Sequence, residues 1–258
     1  MHHNYVSFYT LTAIAFLYTE LMRPRDQRLF KLAAWTILGL IILLTLYIII
    51  IASRSGMVVC FLLAAACMTH AFFWQKKRKT TLCCLALFAI GMITLYFIQP
   101  LLFNRLIDII KVVLTGNINN DIRVAMQASA WSVISNAPWF GNGVGDYWDL
   151  LFQQYAADGN LRAFKQQYST HNQYLETLLA VGIIGLIFQM MMMIAPVITA
   201  LKKKKARLLT ITITLVVAGC IFFEATFGRQ MGLLFVAWWT CILILATQTN
   251  KSPENNKA

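Results

Sequence analysis

Charge is what this chain has least of. Only 12% of its 258 residues are Asp, Glu, Lys or Arg, and just ten of them are acidic; a soluble domain carries about 25% charged residues. From Leu178 to Ala200 there is no charged residue. With 59% of the chain hydrophobic, this excludes an ordinary soluble domain and points to an all-α integral membrane protein. Cysteine is present six times, at Cys60, Cys67, Cys83, Cys84, Cys220 and Cys241, always inside an apolar run. That placement speaks against a disulfide framework or a zinc site, and the six read as small packing residues. HExxH, CxxC and paired-carboxylate motifs are missing, so a metal is not implied. No basic stretch or small-residue cleavage site accompanies the first apolar run, which excludes a signal peptide. Internal repeats and low-complexity tracts are lacking as well.

What is present is a series of apolar runs divided by short basic turns. The runs are Tyr5–Met22, Leu29–Ile51, Met57–Trp74, Thr81–Phe103, His171–Ala200, Leu208–Phe223 and Gln230–Thr247. Each is near the roughly 20 residues that cross a bilayer as a helix, so about seven spans are expected. The run from His171 exceeds that length, which predicts a tilted or projecting start. Organisation follows: four spans in 1–103, a polar loop of 67 residues in 104–170, three spans in 171–248 and a polar tail in 249–258.

The net charge of +12 is confined mostly to the turns, which argues against nucleic acid. The turns Arg23–Arg28, Lys76–Lys79 and Lys202–Lys205, with Lys31, Arg207, Lys251 and Lys257, hold 15 of the 22 basic residues. The positive-inside rule puts them on the cytoplasmic side and the polar loop outside. Seven spans then leave the amino terminus outside without an export signal. That predicts spans missing upstream, with this chain the carboxy-terminal part of a larger, transporter-sized protein or a truncated gene product.

The loop carries its own pattern. Ile122, Met126, Ala130, Trp131 and Ile134 fall at helical spacing over Asp121–Ser135, with Asn119, Asn120 or Asp121 as cap. Asp146 is placed to cap a second helix running to about Ala157, ended by Gly159. The GxGxG turn Gly141–Gly145 follows no strand, so it reads as a place where backbone passes close to another element rather than a nucleotide site. Together these predict a helical lid on the outer membrane face.

Candidate chemistry gathers at the loop borders. Thr170 followed by Gln173 is a capping-box pattern, predicting a helix that starts at His171. A neutral imidazole at that border can accept a proton; the alternative is a ring that only bonds to water or the loop. Glu176, five residues on, offers a possible His–Glu dyad. Arg54, between Ser53 and Ser55, has the fork geometry for phosphate oxygens, or else snorkels to lipid headgroups. Arg123 opens the first loop helix, where a solvated face is the alternative. Arg105 reads as a headgroup anchor, and Arg229 as an ion-pair partner of Glu224.

Three stretches in order resemble the O-antigen ligase and polymerase superfamily of bacterial envelope glycosyltransferases. They are Ser53-Arg54-Ser55-Gly56; then Arg123, Trp131 and Pro138-Trp139-Phe140-Gly141-Asn142-Gly143; then His171-Asn172-Gln173-Tyr174-Leu175-Glu176, followed by Gly182-Ile183-Ile184-Gly185-Leu186. Glu224–Gly232 has a similar look. The resemblance implies a GT-C-like fold in the bacterial inner membrane with its active face periplasmic. It implies transfer of a glycan from an undecaprenyl-diphosphate carrier to lipid A core or a growing polysaccharide, without a metal, cofactor or nucleic acid. His171 would be the general base, and Arg54 and Arg123 would bind the diphosphate. Arg105, Arg162, Arg229 and Glu224 stand in the second line. The superfamily's full members have further spans ahead of the first stretch. Two other readings stay open: a transporter or flippase of anionic or lipid-linked cargo, and an inactive fragment or assembly subunit.

Overall fold

The computed structural model describes residues 3–28, 31–51, 53–74, 122–204 and 206–248. Among these residues there are nine α-helices and no strand. They are α1 (His3–Met22), α2 (Ala34–Ile51), α3 (Arg54–Thr69), α4 (Ile122–Asn136), α5 (Tyr147–Ala157), α6 (Leu161–Gln166), α7 (Gln173–Lys203), α8 (Arg207–Phe223) and α9 (Gln230–Gln248). The expected span over 81–103, the basic turn at 76–79, Arg105, the 119–121 cap and the 249–258 tail lie outside the described residues.

Among the described residues, four helices are long and apolar enough to cross a membrane: 34–51, 55–73, 173–203 and 230–247; α8 is a shorter apolar helix. A lipid environment forces these runs to be helical, because only a helix satisfies its own backbone polar groups there. α2 is the most exposed of them. Only Ile37 and Ile48 are buried along it, while Trp35, Leu43 and Ile50 are largely exposed.

α1 is the opposite case and sits at the centre of the bundle. Tyr5, Phe8, Leu11, Ile14, Ala15 and Tyr18 are buried at three- and four-residue spacing and pack with residues of α3, α8 and α9. Its interior also accepts hydroxyls, because Thr10, Thr12 and Thr19 each donate back to a carbonyl of the same helix. Where α1 meets the start of α3, a Cβ at Gly56 would stand 2.6 Å from the Ser7 Cβ, so glycine is what permits the contact.

A second core lies in the loop unit. Met126, Ala130, Val133 and Ile134 of α4 and Leu151 and Tyr155 of α5 bury against Leu175, Leu178 and Leu179 at the start of α7. Both predicted loop helices are found, α5 with the expected bounds, although Asp146 makes no side-chain cap bond. The short helix α6 was not expected from the sequence.

α7 resolves the puzzle of its own length. Gly182 has φ 67° and ψ −165°, so the helix breaks there. Thr177 donates to Gln189 across the break. In a straight helix those residues would be about 18 Å apart along the axis, at 1.5 Å per residue, beyond the reach of their side chains. The chain therefore bends steeply at Gly182, and the extra turns fold back rather than extend a tilted rod.

The loop 138–143 fills the break. A continuous helix would pair Ile183 N with Leu179 O and Ile184 N with Ala180 O. Instead Ile183 N donates to Pro138 O (2.9 Å) and Ile184 N to Trp139 O (3.3 Å). The freed carbonyls accept from Asn142 N at Leu179 (2.8 Å) and Gly143 N at Ala180 (3.0 Å). A Cβ at Gly141 would come within 2.5 Å of Val181 N. The glycine turn thus does what its sequence suggested and lets one backbone enter another.

Candidate functional site

The site begins at the ends of three helices. Ser53 caps α3: its side chain accepts from Gly56 N at 3.2 Å and its carbonyl from Met57 N at 2.9 Å. Arg54 is the first residue of that helix. α8 ends at Glu224, whose backbone turns extended (φ −149°, ψ 139°). Its side chain is 1% exposed. α7 begins at Gln173, with Asn172 as cap accepting from Tyr174 N and Leu175 N.

This corrects the predicted start at His171. The capping box Thr170–Gln173 does not form. Asn172 is the better-placed acceptor, and Gln173 uses its Oε1 to accept from Phe227 N at 2.6 Å. That bond ties the start of α7 to the turn after Glu224. His171 stays outside the helix in the left-handed region, with φ 52°. His is among the residues enriched there, but the conformation is uncommon and must be imposed by its neighbours.

Glu176 takes part differently than a dyad would need. Its Oε1 accepts from Thr170 N and Thr170 Oγ1, each at 2.9 Å, and it also accepts from the Tyr147 hydroxyl. Burial first, and the Glu176 carboxylate second, push the Tyr147 phenol upward, so it remains a donor. Glu176 therefore locks the segment before α7 onto α5.

The partner of His171 is Glu224. His171 Nδ1 lies 3.5 Å from Glu224 Oε1, within ion-pair reach, while Nδ1 has no hydrogen-bond partner among the described residues. Nδ1 is buried, while the His171 side chain as a whole is 19% exposed. On its other oxygen, Glu224 Oε2 accepts from Asn4 Nδ2 at 2.6 Å. Asn4 Oδ1 in turn accepts from Ser53 Oγ (2.9 Å) and Ser55 Oγ (3.2 Å). The amide orientation follows from chemistry, since a carboxylate only accepts and the hydroxyls can donate.

Of the residues singled out from the sequence, the structure thus joins His171 to Glu224 directly and links both to the Ser53–Ser55 stretch that holds Arg54. Arg123 is half-buried in the first turn of α4, the helix that packs on the start of α7. Arg229 is exposed just ahead of α9, and Tyr5 lies within electrostatic reach of both it and Glu224. Among the described residues the expected Arg229–Glu224 ion pair is not found, and Glu224 meets His171 and Asn4. Arg162 is exposed on α6. Among the described residues, no three His, Cys, Asp or Glu side chains gather as a metal set.

Sequence reasoning missed Asn4. Its one signal was a polar amide at the start of an otherwise apolar run, which at membrane depth asks for a partner.

A family model described as O-antigen ligase matches residues 39–190, more than half of the chain. The match takes in Ser53–Gly56, Arg123, the glycine turn and His171, and leaves Asn4 and Glu224 outside. No curated protein matches the chain.

Proposed function

The chain belongs to the O-antigen ligase family, and from that premise we propose that it moves a glycan from an undecaprenyl-diphosphate carrier to a hydroxyl of lipid A core or of a growing polysaccharide, on the periplasmic face of the inner membrane. Its apolar helices and its family make it a multi-pass membrane protein of glycosyltransferase type, acting in envelope polysaccharide biosynthesis. The finer assignment, with seven spans, a GT-C-like arrangement and no metal in the chemistry, is our reading.

In this reading His171 Nε2 takes the proton of the acceptor hydroxyl as that oxygen attacks the anomeric carbon of the donor. The bond from that carbon to the carrier phosphate breaks, and its electron pair leaves with the diphosphate. Arg54 and Arg123 take up the charge growing on the leaving group. Glu224, behind Nδ1, stabilises the imidazolium that forms. What supports this most is the single observation that a buried carboxylate stands 3.5 Å from the buried Nδ1 of a side chain that is itself partly exposed.

One feature favours the transporter reading: α7 is interrupted, as helices of transporters are around their cargo. Against it, the four backbone groups freed at Gly182 are occupied by the 138–143 loop, so none is left to hold cargo.

The test is a gel of envelope glycolipids from cells with the gene, without it, and with His171→Ala. The reading expects the deletion and the variant to look alike. Loss of polymer from lipid A core, with carrier-linked polymer accumulating, identifies a ligase; single repeats in place of polymer identify a polymerase. Three identical lanes would contradict the reading.

A further inference from the structure

We propose that Asn4 is a positioning residue for the transfer reaction, fixing the His171–Glu224 pair against the start of α3. The proposal rests on the function inferred above and adds to it a residue that lies outside the family match, on α1. Asn4 is buried, and both ends of its amide are engaged. Nδ2 holds one oxygen of Glu224 at 2.6 Å, leaving the other to face His171. Oδ1 gathers Ser53 and Ser55, which stand on either side of Arg54. Ser53 also caps α3 through Gly56 N, so the amide is tied to the backbone that carries Arg54.

The geometry gives the amide a specific task. The amide bond from Asn4 gives one oxygen of this carboxylate at the end of α8 a fixed direction. With Oε2 held by Asn4 at 2.6 Å, Oε1 stands 3.5 Å from Nδ1. Because the same side chain grips the start of α3, the base and the segment expected to meet the diphosphate share one rigid reference. Displacements near 1 Å in such a constellation can cost about 100-fold in rate. The close approach of α1 at Gly56, where Ser7 leaves no space for a Cβ, holds that reference in place.

The experiment compares wild type, His171→Ala, Glu224→Gln, Asn4→Leu and the double variant Asn4→Leu/Glu224→Gln in membranes supplied with carrier-linked glycan donor and acceptor. Leu has the same number and branching of side-chain heavy atoms as Asn and removes both its donor and its acceptor. Asn4→Leu is expected to lower kcat roughly 10- to 100-fold with KM for the donor changed by less than about twofold. In the double variant Asn4→Leu is expected to add less than about threefold to the loss caused by Glu224→Gln, because it acts through that carboxylate. A purely structural role would instead multiply the two losses. Wild-type kcat in Asn4→Leu, a raised KM at unchanged kcat, or multiplicative losses would overturn the proposal while a dead His171→Ala leaves the function standing. Transfer by His171→Ala at the wild-type rate would overturn the function itself. If Asn4→Leu fails to insert, Asn4→Ala is read by the same criteria.

Discussion

At the scale of single residues, the proposed chemistry turns on His171 and on what holds it. The ring projects from a left-handed residue between two anchors: Thr170, bound by Glu176, and Asn172, which caps α7. Asn also tolerates the left-handed region. His171→Asn is therefore expected to insert and melt like wild type in detergent while transfer falls at least about 100-fold, the lower end for loss of a general base. Asn172→Ala is expected to cost about 1 kcal/mol through the lost cap, read as a lower melting temperature. The sequence made His171 legible because it stands where polar chain meets apolar chain. It did not disclose that the cap is the next residue, since Thr170 and Asn172 are both good acceptors and only the fold decides between them. Glu224 and Asn4 were harder still. Their partners lie 53 and 220 positions away, as the numbering of the His171–Glu224 and Asn4–Glu224 contacts shows, and no local spacing encodes such a meeting.

At the scale of elements, the junction between the 138–143 loop and α7 carries the architecture. Four backbone bonds cross it, and both glycines at its heart hold positive φ, 69° at Gly141 and 67° at Gly182. A methyl group at either position meets backbone rather than a flexible side chain. Gly182→Ala and Gly141→Ala are each expected to destabilise by more than about 1 kcal/mol. Since they break one docking contact, the double variant is expected to lose clearly less than the sum, and melting of the three variants in detergent checks this. The glycine turn was legible as a site of close approach. Its target was not, because Gly182-Ile183-Ile184-Gly185 reads equally well as the middle of an unbroken span. The bend followed only from the Thr177–Gln189 contact and the redirected backbone bonds.

At the scale of the whole molecule, two cores meet along the first turns of α7. One is the helical bundle centred on α1, the other the loop unit of α4 to α6. The bundle was foreseeable from apolar runs and basic turns, because length and charge decide what can cross a bilayer. The central place of α1 was not, for its apolar composition alone does not separate a buried helix from a lipid-facing one. α2 faces outward with Leu43 60% exposed. Leu43→Arg is accordingly expected to impair insertion, with an apparent cost of roughly 3 kcal/mol, measured as the inserted fraction. Val144 is exposed in the loop unit and Lys202 at the far end of α7. Cysteine at Val144 is expected to react with an impermeant thiol reagent from the periplasmic side, and cysteine at Lys202 only once the inner membrane is opened.

The most direct measurement of the central claim is transfer from a defined undecaprenyl-diphosphate glycan in membranes holding either the wild-type chain or His171→Asn. The account predicts that wild type joins the glycan to an acceptor hydroxyl with release of undecaprenyl diphosphate, and that His171→Asn, inserted equally well, does neither. Equal turnover by the two, with folding intact, would contradict it.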